Sequence, residues 1–502
     1  MFSSVSNLNI LRSSKATHRL LLSLTGVAFL LRIATLSSQS LWRDEVDAIR
    51  FSSWPLRALL TGLFQTGHNG PLYFLLLRSW RNLTGDSEFA LRFPSAVFGT
   101  LMVPLGYVLA RQMGFSRRSG LLVSLLLATS PYLIWYGQEA KMYAILLVVV
   151  TVAMIAYLRA LADGERRWWV VFVLATSLSF YLHILSPLML GVYGVVALIR
   201  WADVRRHWRA WTISMACLTL PYLPLVIWQL PVLMRGGNLG HPFYPLRREI
   251  NILLQLYSGG LIRSLGIMPI LLFVFLFLCG LVIINPRATS EGVTLSRRLV
   301  LAGWALIPPL AVYIVSLRVP VFEDRYLIYI TPAFYLVVVL GIVLIRYHSR
   351  RLAALCLGLV LAVNLIGIWQ QQRQPIKADF RAAAEYLIEQ PRRPAVIMFQ
   401  MPYLQYTFGY YYPYKYQLIE GLWTNDGKTE QVVATNMRRL TANLSELWLV
   451  VSEEEQWDRR RMVRAWLDEN AALVEETHFT RVDVYRYQFS PGEIETENMG
   501  TD

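Results

Sequence analysis

Charged residues are scarce in this 502-residue chain. Asp, Glu, Lys and Arg make up 16% of it, against about 25% in an average soluble protein, whereas 55% of its residues are hydrophobic and the mean hydropathy is +0.41. Cysteine is scarcer still, because the chain has only Cys217, Cys279 and Cys356, all within apolar runs and none in a Cys-x-x-Cys spacing. These shortages exclude the soluble globular, disordered, collagen-like and disulfide-stapled classes.

Long apolar runs are abundant instead, and they stop near residue 370. Runs of about 20 residues can cross a bilayer as helices. We therefore predict about eleven spans, at 19–36, 89–111, 120–136, 142–160, 169–183, 187–200, 210–230, 265–285, 299–317, 326–345 and 352–370. Residues 20–31 also resemble the apolar core of a signal peptide, but Arg32 interrupts the run and no small-x-small cleavage site follows. The expected fold class is a polytopic α-helical membrane protein whose domain 1–370 crosses the membrane.

The net charge of +15 is typical either of nucleic-acid binding or of basic cytoplasmic loops. With the N-terminus inside, each of six inner segments carries three or four Lys or Arg residues. The same segments hold four acidic residues, Asp163, Glu165, Asp203 and Glu291. The distribution follows the positive-inside rule. We therefore expect the cytoplasmic (inner) membrane as the location, with the N-terminus inside, and no nucleic-acid partner.

An odd number of spans places the C-terminal tail outside. Residues 371–490 alternate helix-like and strand-like stretches, which predicts an outer-face α/β domain. The predicted helices are 379–390, 427–443 and 458–470, and the predicted strands are 394–400, 446–452 and those within 471–489. Residues 491–502 are acidic and predicted to be a flexible tail. The other outward segments are a long first loop at about 37–88, turns at 137–141 and 183–187, a loop at 231–264 and a turn at 318–325.

The first outer loop carries three candidate groups. Asp44 and Glu45 follow Leu41-Trp42-Arg43, and carboxylates held at a membrane interface are partly desolvated, which raises their basicity. The alternative is a pair of solvated charges behind an interfacial Trp. His68 lies in the turn Gly67-His68-Asn69-Gly70-Pro71, where an ordinary surface role is the alternative. Arg92, close to the outer end of the second span, is also a candidate, with a snorkelling anchor as its other interpretation.

The later outer turns carry the remaining candidates. Glu139 and Lys141 share a turn so short that Glu139 must lie at the bilayer surface, where ionisable groups are functional candidates or pair structurally. His183 ends another span, and a hydrogen-bonded interfacial histidine is its alternative. Arg325, followed by Tyr326, suits a phosphate because its planar fork donates several hydrogen bonds; its alternative is a headgroup anchor paired with Glu323 or Asp324.

These residues come from separate segments, yet the charge-derived topology places all of them on one face of the membrane. Paired carboxylates with an arginine at a lipid surface indicate a general base together with a cation that stabilises an anionic lipid leaving group.

At these motifs the chain resembles the membrane-embedded glycosyltransferases of the GT-C superfamily, in the family 39-like branch of protein O-mannosyltransferases and the lipid A aminoarabinose transferase. The matching stretches are Leu41-Trp42-Arg43-Asp44-Glu45, His68-Asn69-Gly70-Pro71-Leu72-Tyr73, Leu91-Arg92-Phe93-Pro94-Ser95, Ser130-Pro131, Gln138-Glu139-Ala140-Lys141-Met142-Tyr143 and Asp324-Arg325-Tyr326-Leu327. Order and spacing are specific over residues 40–145, and beyond them the likeness is mostly topological. Lys141 stands where arginine is usual, and Gly70-Pro71 replaces the more common Pro-Pro.

The resemblance implies inverting transfer of a hexosyl or pentosyl sugar from a polyprenyl-phosphate carrier to a lipid, glycan or protein acceptor. It implies that Asp44 takes the acceptor's proton, that Glu45 supports it, and that Glu139 fills a second acidic position. Arg325 falls where such enzymes hold the carrier phosphate. We predict as further substrate-binding residues Tyr326, His68, Arg92, Lys141 and His183.

A lipid-phosphate donor is already activated, so no nucleotide cofactor is expected, and no Gly-rich phosphate loop of the P-loop or Rossmann type stands out. Whether a divalent cation takes part stays open, since Glu139 with His68 or His183 could bind one. Two other classes stay open. A transporter or flippase would carry its charges at mid-membrane on repeated helices, and a lipid-linked oligosaccharide ligase would lack the Trp-x-Asp-Glu loop.

Overall fold

The computed structural model describes residues 15–61, 70–236, 241–283 and 292–490. The chain divides into two compact units: a helical unit, Met1–Leu36 with Phe51–Gln374, and an α/β unit, Ser37–Arg50 with Pro375–Asp502. Residues 37–50, predicted to begin the outer loop of the membrane domain, are thus grouped with the tail. The predicted domain limits 1–370 and 371–490 stay predictions, and the predicted flexible tail 491–502 lies outside the described residues.

Helices make up nearly all of the helical unit. In chain order they are α1 (Lys15–Ile33), α2 (Arg43–Ser52), α3 (Leu56–Thr61), α4 (Pro71–Thr84), α5 (Glu88–Gln112), α6 (Arg117–Thr129), α7 (Pro131–Tyr136), α8 (Tyr143–Asp163), α9 (Arg166–Leu182), α10 (Met189–Ile199), α11 (Trp201–Arg206), α12 (Trp208–Arg235), α13 (Leu246–Gly259), α14 (Met268–Val282), α15 (Leu295–Ser316), α16 (Thr331–His348) and α17 (Arg350–Arg373). Short 3₁₀ helices, Ser186–Leu188 and Asp324–Ile330, precede α10 and α16. The boundary between the two units, after Arg50, falls inside α2.

Within the described residues, seven helices are long and apolar enough to cross a bilayer: Lys15–Ile33, Glu88–Gln112, Tyr143–Asp163, Trp208–Ile227, Leu295–Ser316, Asp324–His348 and Arg350–Arg373. Two shorter apolar helices accompany them, Ser186–Ile199 and Met268–Val282. Large apolar side chains such as Leu30, Ile227 and Leu278 stay exposed, at 62%, 62% and 52%. Such surfaces fit a lipid environment and not water. The chain is a multi-pass α-helical membrane protein.

Every predicted span coincides with helical structure, but several helices are shorter than a full crossing. The predicted span 120–136 is broken in two, because Ser130 caps α7 by accepting a hydrogen bond from the backbone N–H of Leu133, and Pro131 starts that helix. Helix α9 has 17 residues and α10 has 11. The count of about eleven crossings therefore stays a prediction.

The core of the helical unit is built around α8 and α16. Every residue of α16 from Thr331 to Ile345 is buried. Helices α14 and α16 cross at a pair of glycines, where a Cβ on Gly280 would lie 2.2 Å from the carbonyl oxygen of Val337. A Cβ on Gly341 would likewise lie 2.0 Å from the carbonyl oxygen of Leu276. Only glycine permits this backbone approach.

The α/β unit holds one five-stranded sheet in the order β2-β1-β3-β5-β4. Its strands are β1 (Val396–Phe399), β2 (Gln417–Glu420), β3 (Glu446–Val451), β4 (Ala472–Phe479) and β5 (Val482–Gln488), and its helices are α18 (Phe380–Ile388), α19 (Leu404–Tyr411), α20 (Glu430–Thr441), α21 (Glu454–Trp457) and α22 (Met462–Asn470). Strand β1 pairs in parallel with β2 and β3, whereas β5 pairs antiparallel with β3 and β4.

Both faces of this sheet are covered. Helices α18 and α19 pack with Phe399 and Trp448 on one face, and α20 and α22 pack with Met398 and Leu449 on the other. Successive strand residues alternate between the two layers, as the pleat requires. The predicted small α/β domain is thus present, with one strand and two helices (β2, α19 and α21) that the sequence pattern missed.

Candidate active site

The turn between α7 and α8 is buried inside the helical unit. Glu139 is 1% exposed and Lys141 9% exposed. The amide of Gln138 donates to the carbonyl of Arg32 at 2.9 Å, and the hydroxyl of Ser95 donates to the carbonyl of Lys141 at 3.2 Å. These bonds tie the turn to α1 and α5, so its carboxylate and ammonium groups are held by packed helices.

Gly70, from the His-Asn-Gly-Pro motif, lies against the same turn. Its φ of 80° is left-handed, and a Cβ there would lie 2.3 Å from Cε of Met142 and 2.9 Å from the carbonyl oxygen of Leu182. Glycine is therefore required on two grounds, conformation and space. The motif thus ends beside the Glu139 turn and the end of α9, while the predicted site residue His68 lies outside the described residues.

His183 caps the C-terminus of α9 and is fully buried. Its Nδ1 accepts a hydrogen bond from the backbone N–H of Leu185 at 3.2 Å. The neutral ring therefore carries its proton on Nε2, and this buried N–H has no hydrogen-bond partner among the described residues. Its ring centroid lies 6.2 Å from that of Tyr143 and 4.6 Å from that of Tyr326.

Arg325 lies in the 3₁₀ helix before α16, with its side chain 17% exposed. Its Nη1 is 3.7 Å from Oε2 of Glu323, beyond ordinary hydrogen-bond length, and its guanidinium carbon is 5.8 Å from the centre of the Tyr326 ring. Glu323 also lies 3.3 Å from Nδ1 of His241. Neighbouring Asp324 accepts a hydrogen bond from the hydroxyl of Tyr136 at 2.9 Å. The predicted alternative pairing of Arg325 with Glu323 is therefore present as a long contact.

The structure brings five of the predicted residues together: Glu139, Lys141, His183, Arg325 and Tyr326, here named the turn cluster. The hydroxyl of Tyr136 donates to Asp324, and the ring centroid of Tyr143 lies 6.5 Å from that of Tyr326. The turn that carries Glu139 and Lys141 therefore lies beside the 3₁₀ helix that carries Arg325. The cluster therefore combines two cations, one carboxylate and one buried N–H donor, and the carboxylates of Glu323 and Asp324 lie next to it. Its donors on Arg325, Lys141 and His183 suit an anionic oxygen ligand.

Arg92 has a different surrounding. It is 2% exposed, and its Nη1 donates to the carbonyl oxygen of Leu36 at 2.5 Å. This bond holds the end of α1, where the chain leaves the helical unit. The predicted part of Arg92 in substrate binding stays a prediction.

Asp44 and Glu45 lie in the first turn of α2, in the α/β unit. Asp44 is half-buried, whereas Glu45 is fully buried. The Nζ atom of Lys377 lies 2.8 Å from Oε2 of Glu45. Glu45 is therefore committed to an ion pair, which leaves Asp44 as the more accessible carboxylate of the two.

No group of three His, Cys, Asp or Glu side chains suited to a metal ion occurs among the residues that the structure describes. Glu139 and His183 share the turn cluster, but His68, the third ligand considered for a divalent cation, lies outside those residues. A cation bound by this set stays a prediction.

Sequence reasoning did not single out several residues of this region. Tyr136 ends α7 and Tyr143 begins α8, so the two residues border the turn that carries Glu139, and the shortness of that turn could have selected them. His241, which reaches Glu323, lies in the long loop 231–264 without any periodic pattern. Lys377 lies 332 residues from Glu45 along the chain, and no local signal links the two.

Comparisons with known proteins identify the fold. Residues 68–228 match the profile of the family described as dolichyl-phosphate-mannose-protein mannosyltransferase. Over 94% of its length the chain is similar to the apo crystal structure of ArnT from Cupriavidus metallidurans, of which it covers 98%, with 15% identity and a TM-score of 0.56. The undecaprenyl-phosphate-bound structure of the same ArnT matches 93% of the chain and is 97% covered, with 14% identity and a TM-score of 0.54. A search of curated protein sequences finds no match. These findings confirm the resemblance that the motifs indicated.

Proposed function

We propose that this chain, which has the fold of the GT-C superfamily of membrane glycosyltransferases, is an inverting glycosyltransferase that uses a polyprenyl-phosphate-linked sugar. It transfers that sugar to an acceptor on the outer face of the cytoplasmic membrane. The observation that carries the proposal is the turn cluster, in which two cations, a carboxylate and a buried N–H donor lie together within a multi-pass membrane protein. ArnT was solved with undecaprenyl phosphate, and the matched family is named for dolichyl-phosphate-mannose. Both carriers are polyprenyl phosphates, and we extend that donor class to this chain.

The turn cluster suits the leaving group. As the bond between the sugar's anomeric carbon and the phosphate oxygen breaks, its electron pair moves to that oxygen and the carrier phosphate gains charge. Arg325 offers a forked donor to phosphate oxygens, and Lys141 adds a second positive charge. The Nε2–H of His183 supplies a donor that needs no reorganisation, which favours the transition state over the ground state. Tyr326 lies beside both the imidazole and the guanidinium and forms the wall of this subsite.

Proton transfer is assigned to Asp44, on the resemblance and on its accessibility relative to Glu45. The acceptor's hydroxyl or amine hydrogen goes to the Asp44 carboxylate while the acceptor atom bonds to the anomeric carbon, on the face opposite the departing phosphate. The products are the glycosylated acceptor and the free polyprenyl phosphate. Glu139 orients the acceptor or assists the base, and Arg92 and His68 complete the proposed substrate contacts. The sugar is a hexose or a pentose, and the acceptor a lipid, a glycan or a protein.

The experiment is a transfer assay in membranes that contain the chain. Radiolabelled polyprenyl-phosphate sugars of several identities are supplied, and label is followed into lipid, glycan and protein fractions and into free sugar. Label moved by the wild-type chain, and not by the Asp44→Asn variant at equal abundance, supports the proposal. Carrier that moves across the bilayer with its sugar still attached would instead identify a flippase, and transfer of a preassembled oligosaccharide a ligase.

A further inference from the structure

We propose that the α/β tail positions the first turn of α2, and that Lys377 is a positioning residue for Asp44. This inference rests on the proposed function, in which Asp44 takes the acceptor's proton. All the contacts that carry it lie inside the α/β unit, between residues 37–50 and residues from 375 onward.

The segment before α2 is bonded to the start of the tail. The side-chain oxygen of Gln39 accepts hydrogen bonds from the backbone N–H groups of Ile376 and Lys377, each at 2.9 Å. The hydroxyl of Ser40 donates to the carbonyl of Ala378 at 2.6 Å. Residues 39–40, just before α2, therefore run beside residues 376–378 at the start of the tail.

The Glu45–Lys377 pair fixes the first turn itself. Its Nζ–Oε2 distance is 2.8 Å, and the two side chains are 0% and 6% exposed. The same Oε2 accepts from the backbone N–H of Trp42 at 3.4 Å, as in a capping box. Because Glu45 directly follows Asp44 in the first turn of α2, an anchored Glu45 also fixes the backbone from which the Asp44 carboxylate extends.

A second anchor precedes Asp44. Nη1 of Arg43 lies 2.8 Å from Oε2 of Glu453 and 3.9 Å from the sulfur of Met401. Met401 follows β1 and Glu453 follows β3, two neighbouring parallel strands. Helix α19 follows β1, whereas β3 is followed first by the short α21 and then by α22. Helices α19 and α22 pack on opposite faces of the sheet.

Such a point, where chain connections diverge at the carboxyl ends of neighbouring parallel strands, is where open α/β sheets bind ligands. Here Arg43, from the protein's own α2, occupies it. The tail therefore uses the position at which open α/β sheets bind ligands to hold the residue next to Asp44.

Two further contacts hold the two ends of this segment against α19. The backbone N–H of Leu41 donates to the hydroxyl of Tyr411 at 2.6 Å. At the other end of α2, the guanidinium of Arg50 lies 3.4 Å above the ring of Tyr406. The helix is therefore held at its beginning, at its first turn and near its end, which is a geometry suited to fixing a general base within hydrogen-bond reach of its target.

The test compares Lys377→Met with Lys377→Arg and with the control Lys415→Met, at an exposed lysine of the same unit. A double variant, Glu45→Gln with Lys377→Met, removes the pair without leaving a buried lone charge. Two readouts are taken on the full-length protein: amide hydrogen exchange of peptides covering 37–50, and the kcat and donor KM of sugar transfer.

We expect Lys377→Met and the double variant to raise exchange within 37–50 by about tenfold or more. Both should lower kcat by roughly 10–100-fold at a donor KM within about twofold of wild type. Lys377→Arg should restore most of the rate, and Lys415→Met should match wild type in both readouts.

Unchanged exchange in the double variant would overturn the anchoring. Faster exchange with an unchanged kcat, or a kcat that falls only in step with the amount of folded protein, would overturn the positioning role. If the wild-type chain transfers no sugar at all, the proposed function fails, and hydrogen exchange alone still decides whether the tail anchors α2.

Discussion

The rings of His183 and Tyr326 lie 4.6 Å apart, centroid to centroid, at the junction of α9 with the 3₁₀ helix that leads into α16. The bond from Leu185 to Nδ1 leaves the ring proton on Nε2, buried and without a hydrogen-bond partner in the described part of the chain. A buried donor without a partner costs roughly 1–3 kcal/mol. Such a cost is typical of groups kept for ligand binding.

His183→Phe removes this donor and keeps a ring of similar size. We expect kcat/KM for the sugar donor to fall about 10–100-fold, the loss of one hydrogen bond to a charged oxygen. The midpoint of thermal unfolding should stay equal or rise, because an unpaired buried donor is gone. His183→Gln, which carries an N–H at a similar reach, should lose less. The surface variant His348→Gln is the control, and a Phe variant with wild-type kcat/KM would remove His183 from the site.

Asp44→Asn keeps the shape of the side chain and removes its basicity. If Asp44 accepts the acceptor's proton, turnover should fall roughly 10²–10⁴-fold while donor binding changes little. Asp47→Asn, on the same helix and paired with Arg50 at 2.8 Å, is the matched control and should stay within about threefold of wild type. Turnover of Asp44→Asn within threefold of wild type would assign the base to Glu139, since Glu45 is committed to Lys377.

Arg325→Lys keeps the positive charge and loses the forked geometry. Because the phosphate gains charge as the glycosidic bond breaks, we expect turnover to fall more than donor affinity does, by about 10²-fold or more for Arg325→Ala and by less for Arg325→Lys. The exposed Arg318→Ala, from the same turn, controls for a headgroup anchor. Rates are normalised to folded protein, and an unchanged rate in Arg325→Ala would leave the guanidinium as an anchor only.

The buried carboxyl of Glu249, on α13, should make the free energy of unfolding depend on pH. Its side chain is fully buried, and neither carboxylate oxygen has a hydrogen-bond partner within the described ranges. Burial raises the pKa of Glu249 from 4.5 to about 7. Between these values the native state binds more protons than the unfolded state, so the free energy of unfolding falls as pH rises, by up to the order of 2 kcal/mol.

Glu249→Gln removes this titration. We expect the variant to unfold at a higher temperature than wild type at pH 8 and at nearly the same temperature at pH 4.5, in detergent, whereas the exposed Glu430→Gln should follow wild type throughout. Equal pH profiles of unfolding for Glu249→Gln and wild type would contradict the buried, unpaired state of this carboxyl.

The orientation in the membrane is open to a direct test. Because the predicted inner segments are all basic, the C-terminus should lie outside. Alkaline phosphatase fused behind the tail should be active and a fluorescent protein at the same point dark, and the reverse result would place the tail in the cytoplasm. A fusion in the predicted inner segment between the spans 89–111 and 120–136 serves as the opposite control.

Local composition alone located most helices of the membrane part. Partition of an apolar run into lipid depends on that run and hardly on the rest of the chain, so each predicted span coincides with helical structure. The same reasoning could not tell full crossings from shorter helices, because Ser130 and Pro131 break one run by capping and by a fixed backbone angle. Short apolar strands next to turns were equally ambiguous, which is why β2 was missed.

The sequence by itself determined which residues are candidates for the site. Asp44, Glu139, His183 and Arg325 stand at motif positions or at the ends of apolar runs. Only the tertiary structure decided which of them meet. It joined Glu139, His183 and Arg325 in one cluster and grouped residues 37–50 with the tail. The ion pair of Glu45 with Lys377 was likewise decided only by the tertiary structure. Such pairings depend on how distant segments pack, a property of the whole chain that no local pattern of residues encodes.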